Sequence, residues 1–309
     1  MSNAAANASK HLDQWRRRKN LGVRNPIELM DVIIFIFLTF FLLIIFYPFY
    51  NVILVSIVPQ RDYIRSPFML WPPAVEGNSY KFVFESPLLL RSMGTSAMLM
   101  LVGTAYNMFL TVLFAYAMTR PIPGRRFFRF LMVFTMYFGG GLVPQYLLMK
   151  ALGLLNTFQV MFMPSVISVS YMLIISNTMG DIPVELTESA VLDGASEMRI
   201  LFQIILPLSL PILATFTLYY AVERWNEWYS AMLFVKDQAK WPLQYSLRKI
   251  ISDVSFIAQN AVPGEIRPPS YSDGIKMACI IVTVFPLMAI YPFLQRYFLT
   301  GLTAGAVKG

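Results

Sequence analysis

"ELTESAVLDGASEMRILFQIILPLSLP", residues 185–211, stands between long apolar runs and carries Glu185, Glu188, Asp193, Glu197 and Arg199. Its patterning is helical. Asp181 can cap a helix N-terminus and Pro183 suits a first turn. Pro183, Leu186 and Ala190 fall at i, i+3 and i+7 and give a weak apolar stripe, while Glu185 and Glu188 share another face. Asp193 and Gly194 read as a turn. From Ser196 a second helical pattern runs through Ile200, Phe202, Ile204 and Ile205 to Pro207, which opens the next apolar run. The expectation is two short helices with a sharp bend. Two uses fit equally on physical grounds. One is an amphipathic hairpin that seals a helix bundle at the membrane interface. The other is a rigid protrusion that a partner grips.

The 309 residues are 57% hydrophobic and 14% charged. A soluble domain is about 45–50% apolar and about 25% charged, so the deficit of charge points to lipid as solvent. The single cysteine, Cys279, excludes a disulfide within the chain and a multi-cysteine metal site. The single histidine, His11, lies in a polar tail, which excludes histidine-based catalysis and a histidine metal cluster. The net charge of +8 reads as cytoplasmic anchoring by Lys and Arg rather than as nucleic-acid binding. A signal peptide is not expected: the first 29 residues are polar and the apolar stretch after them is longer than an h-region of about 7–15 residues.

A membrane span needs about 20 predominantly apolar residues. By that measure six spans are expected, at about 30–58, 92–119, 127–148, 158–179, 207–235 and 275–299, after a tail at 1–29. Lys10, Arg16, Arg17, Arg18, Lys19 and Arg24 precede the first span, and Arg120, Arg125, Arg126 and Arg129 lie between the second and third. With an even number of spans the charge rule puts both termini and the 180–206 segment on the cytoplasmic side. The loops at 59–91 and 236–274 then face outward. The expected fold is an all-α membrane protein with the charged segment between spans 4 and 5.

The spelling of that segment resembles a known family. Glu188-Ser189-Ala190, three residues, Gly194, nine residues, then Ile204-Ile205-Leu206-Pro207 resembles the EAA motif of ABC importer permeases, with Ser189 in place of Ala. "LDGAS" (192–196), "AYAMTR" (115–120), "GLLNT" (153–157) and "RWNEW" (224–228) follow in the order seen in carbohydrate permeases. The nearest likeness is the branch associated with lipoproteins or complex polysaccharides. The resemblance implies a type I importer permease of the maltose type, in a bacterial cell membrane, carrying sugars and in particular oligosaccharides. It implies a coupling helix between spans 4 and 5 that seats on an ATPase through Glu185, Glu188, Ser189, Ala190, Asp193, Gly194, Ala195, Leu206 and Pro207. Glu188 would face a basic residue of that ATPase. The implied partners are a second, homologous permease, two ATPase subunits and an extracellular solute-binding protein. No GxxxxGK[ST] phosphate loop occurs in the chain, so ATP and Mg belong to the partner ATPase, and no cofactor or metal is expected on this subunit.

The other concentration of charge is "YYAVERWNEWYSAM", residues 219–232, within the fifth apolar run. An ionisable group there costs about 2.5–3.5 kcal/mol on insertion scales. Trp225, Trp228 and Tyr229 could form an interfacial aromatic belt, with Arg224 and Glu227 paired at i, i+3. Alternatively, Glu223, Arg224, Trp225, Asn226, Glu227 and Trp228 line a sugar path, the rings stacking on pyranose faces and the amide and carboxylates meeting hydroxyls. A glycosidase carboxylate pair is set aside because nothing else resembles a catalytic pocket. "YFGGGLVPQY", residues 137–146, breaks span 3 with glycine and proline, which serves either a cavity or close helix packing. Rival functions are a permease for another solute and an ion-coupled secondary transporter. The latter predicts an inverted repeat and acidic residues in several spans, which the chain lacks.

Overall fold

The computed structural model describes residues 29–66, 68–259 and 273–289, and every regular element among them is helical. The tail at 1–28, most of the polar outer loop beyond residue 259 and the last part of the sixth expected span lie outside the described residues. The chain divides into two units, residues 1–53 and 54–309.

Helix α1, Leu29–Ile57, supplies the described part of the first unit, and its large side chains from Leu29 to Ile53 form an exposed apolar surface suited to lipid. Pro48 sits inside it. In the second unit Leu54, Val55 and Ser56 are buried, and the Ser56 hydroxyl bonds the Tyr80 hydroxyl at 2.9 Å. A short helix, Asn78–Glu85, ends at Ser86, which caps the next helix with Pro87 in its first turn.

That next helix, α2, runs Pro87–Ala117 without a break and is long and apolar enough to cross a membrane, as is α1. It contains a π-helical segment at Leu99–Gly103. Such wide turns are frequent where a helix must admit a side chain from a neighbour. The stretches expected as spans 3 and 4 are both bent, the third at the glycine–proline break read from the sequence. Helices α3 (Arg125–Tyr137) and α4 (Leu142–Ala151) meet at 117° across the triple glycine, where Gly141 takes φ +84°. A Cβ at Gly139 or Gly141 would meet nothing within 4 Å, and the three glycines line, with Pro144 and Tyr229, an open cavity of about 550 Å³. Among the described residues the glycines border an open depression, and no atom of this chain packs within 4 Å of a Cβ at Gly139 or Gly141. Short 3-10 turns at Gln159–Met161 and Met163–Ser165 lead at 59° into α5, Val169–Gly180.

The charged segment forms α6 (Val184–Leu192) and α7 (Glu197–Leu208). After an 85° bend at Ser209, helix α8 runs Leu210–Trp225, and a short α9 follows at Tyr229–Phe234. Two expectations are corrected here. Asp181 ends α5 instead of capping α6, because Pro183 holds an extended ψ of 128° and the helix starts after it. Pro207 lies in the last turns of α7, and the next helix opens at Leu210 with Pro211 in its first turn. Helix α10 is Leu243–Gln259, and α11 covers 273–289.

Three apolar clusters hold the second unit. At the hairpin end, Ile200, Leu201 and Ile205 of α7 pack with Ala115, Tyr116, Met172, Ile175 and Phe216 of α2, α5 and α8. At the far end of α8, one cluster joins Leu99, Val160, Met161 and Phe234, and another joins Leu89, Trp225, Leu243 and Cys279. Polar ties fix the register between them. The Tyr220 hydroxyl bonds Thr111 at 2.9 Å and accepts from the Ser168 amide at 2.8 Å. Ser92 and Ser246 hydroxyls meet at 2.7 Å, and the Leu243 amide donates to Ser96 Oγ at 2.9 Å.

Candidate functional sites: an exposed hairpin and a polar break

The bend between α6 and α7 is closed by the backbone alone. The Ala195 amide donates to the Ala190 carbonyl at 2.9 Å and the Gly194 amide to that of Val191 at 3.0 Å. This is the Schellman pattern, in which the residue after the cap sits in the left-handed region. Gly194 does so at φ +78°, where a side chain would be strained. Ser196 then caps α7, its Oγ accepting from the Arg199 amide at 3.4 Å. "GLLNT" builds the same device at the other end of the molecule. Gly153 at φ +68° closes α4, and Asn156, itself at φ +60°, accepts from the Asp237 amide and the Lys240 ammonium.

The hairpin projects its charges. Glu185, Glu188, Ser189, Asp193 and Gly194 are exposed, Ala190 and Ala195 are half-buried, and Leu192 at the tip is 88% exposed. Glu185 in the first turn of α6 also favours the helix dipole. Leu206 and Pro207 lie beyond the protrusion, one turn before the 85° bend into α8.

The second site is the break at the end of α8. Asn226 leaves helical geometry, its Nδ2 donating back to the Val222 carbonyl at 2.9 Å, while Glu227 Oε1 accepts from the Ser230 amide to start α9. The six residues expected along a sugar path divide here. Arg224 is 4% exposed and donates to the Met161 carbonyl at 2.9 Å and Ser165 Oγ at 3.0 Å, with Glu223 at 4.0 Å and Glu227 at 3.8 Å. Its aliphatic stem lies on Gly103 of the π-helical segment, where a Cβ would come within 3.1 Å of Cδ. Trp225 is buried too, its Nε1–H donating to the Thr283 carbonyl at 3.0 Å. Both side chains hold the wall from behind. Its accessible face is made by Glu223, Asn226 and Trp228, while the Glu227 side chain, 10% exposed, is largely covered.

Several residues of this wall were not legible beforehand. The Tyr171 hydroxyl donates to Glu223 Oε1 at 2.6 Å, and Gln244 Nε2 donates to Asn226 Oδ1 at 2.9 Å. The Arg248 guanidinium lies 3.7 Å above the Trp228 ring. Gln244 and Arg248 also border a cavity of about 520 Å³ that reaches Cys279 and Thr283. Tyr171 carried no signal in the sequence, and α10 reads there only as part of a polar loop.

The chain as a whole is similar to known proteins. The chain is 41% identical over 269 residues to Protein LplC of Bacillus subtilis (strain 168), covering 85% of this chain and 89% of the relative. It is 38% identical over 288 residues to the polygalacturonan/rhamnogalacturonan transport system permease protein YtcP of the same organism, covering 91% and 99%. A chain from the crystal structure of a bacterial ABC transporter involved in the import of the acidic polysaccharide alginate superposes with a TM-score of 0.79 at 28% identity, covering 88% of this chain and 97% of that one. No family model matches the chain. In importers of this kind ATP hydrolysis belongs to separate ATPase subunits, and this chain is a membrane transport subunit. With two such relatives spanning nearly its whole length, the chain belongs to the permease subunits of carbohydrate ABC importers.

Proposed function

We propose that α6 and the bend at Gly194 form the coupling segment on which an ATPase subunit seats, and that this chain pairs with a second, homologous permease to enclose the sugar path. In this reading six spans cross the membrane, the hairpin and both termini are cytoplasmic, and two ATPase subunits bind ATP and Mg. The observation that carries the reading is the hairpin itself. Glu185, Glu188 and Asp193 are exposed on the same short segment as the bare Leu192, and its bend is backbone-locked. Ser189, Ala190 and Ala195 are small enough to let a partner approach. A rigid lever that turns through Leu206, Pro207 and the 85° bend into α8 can carry a rotation that a floppy loop would lose.

The path face is assigned to Glu223, Asn226, Glu227 and Trp228, with Arg224 and Trp225 supporting them and Gln244 and Arg248 beside them. A guanidinium stacked on an indole keeps its in-plane donors for a carboxylate. Together with the polygalacturonan and alginate named for the relatives, this favours a saccharide that bears carboxylates.

The test is gentle detergent purification from native membranes. A second permease and an ATPase are expected to accompany the chain, and Gly194→Asp or Glu188→Lys to lose the ATPase. A chain that came out alone and moved solute without any ATPase would overturn the reading. Uptake of trigalacturonate against maltotriose by the reconstituted complex, with its binding protein, then decides the substrate charge.

A further inference from the structure

We propose that Tyr116, Arg120 and Glu197 form a latch through which the hairpin moves α2 directly, as a second output beside α8. The proposal rests on the coupling-segment reading and gives the "AYAMTR" stretch a task. Arg120 Nε and Nη2 donate to the Tyr116 hydroxyl at 3.0 and 2.5 Å, and Nε lies 3.0 Å from Glu197 Oε2. The Tyr116 hydroxyl in turn donates to the same Glu197 oxygen at 2.6 Å. The guanidinium carbon stands 4.8 Å from the Tyr116 ring centre. Tyr116 lies in the last turn of α2 and Arg120 in the turn three residues beyond its end, and Glu197 is the first residue of α7, directly after the Ser196 cap.

Position makes this a transmission element. Among the described residues it is the one polar side-chain tie between the hairpin and another helix. The remaining contact is apolar, Ile200, Leu201 and Ile205 against Ala115, Tyr116 and Met118, which resists separation but sets register only loosely. Glu197 is 62% exposed, so the ion pair adds little to stability. What it provides is direction: a displacement at Gly194 reaches the end of α2 before passing through α7. Thirteen residues back along α2, roughly 20 Å at a helix's rise, Gly103 carries the stem of Arg224. The latch and the polar wall therefore share one continuous helix.

The complex is purified with Glu197→Lys, Arg120→Glu, the double exchange of both charges, and the milder Glu197→Gln and Tyr116→Phe, which keep the fold testable if reversal does not. ATP hydrolysis is read without and with the binding protein carrying whichever of the two trisaccharides supports uptake. Each variant is expected to retain its ATPase through purification. Stimulated hydrolysis should fall at least about fivefold on single reversal, the lower end of typical couplings, with smaller losses in the milder variants and recovery in the exchange. Full stimulation in the single variants, or a loss the exchange does not recover, sinks the latch while leaving the docking reading intact. Failure of the unaltered chain to bring down any ATPase removes both.

Discussion

The hairpin at 184–205 and the polar break at 223–248 are both rich in charge, yet they are built by opposite means. The hairpin's bend closes on itself: the Gly194 turn and the Ser196 cap are satisfied within a dozen residues, and Glu185, Glu188 and Asp193 face out, while Glu197 reaches Tyr116 of α2. The break is closed by partners 58 to 63 positions away, with Arg224 reaching Met161 and Ser165 and Trp225 reaching Thr283. Charge kept in water can be organised locally. Charge taken into the interior must find donors and acceptors wherever the fold brings them, because an unpaired buried ion costs several kcal/mol.

Substitutions at the two sites should part accordingly. The largest effect is expected from Arg224→Leu, which strips a buried cation from Glu223, Glu227, Met161 and Ser165. Breaking such a pair costs about 3–5 kcal/mol, and thermal unfolding in detergent should show the loss across the whole second unit. Gly194→Ala forces a side chain into the left-handed region at a cost of about 1–2 kcal/mol. Here the comparison predicts a different symptom: faster amide exchange over residues 184–196 with the unfolding midpoint in place. A midpoint that fell as far as that of Arg224→Leu would erase the distinction.

Tyr220→Phe removes the hydroxyl shared by Thr111 and the Ser168 amide, and polar contacts between membrane helices average about 0.6 kcal/mol, reaching about 1.7. A modest fall in unfolding midpoint is expected, felt in α2 and α8 together. Ser196→Ala deletes one cap, whose loss costs about 0.5–2 kcal/mol, and should be visible only as exchange in the first turn of α7. Were it to shift the global midpoint, the hairpin would be less self-contained than its hydrogen bonds indicate.

The same contrast explains what could be read in advance. The two-helix form, the Gly194 turn and the exposure of Glu185, Glu188 and Asp193 follow from local chemistry, and the sequence carries them. Even there the helix ends at Asp181 and after Pro207 are set by the fold, because boundaries depend on where proline lets the backbone wind. At the break, the residue types were legible but their facing was not. Arg224 and Trp225 sit beside Asn226 in sequence and behind it in space.

By itself, then, the sequence determined a lipid-solvated helical chain, a charged hairpin after the fourth apolar run and the absence of any phosphate loop, since periodicity, composition and turn chemistry act within a few residues. Only the tertiary structure decided that Gly103 makes room for Arg224, that Tyr171 and Gln244 hold the wall, that Arg248 stacks on Trp228 and that Glu197 ties the hairpin to α2. Those pairings cross from 18 to 121 positions of chain. No local rule spans that distance; packing in the folded bundle does.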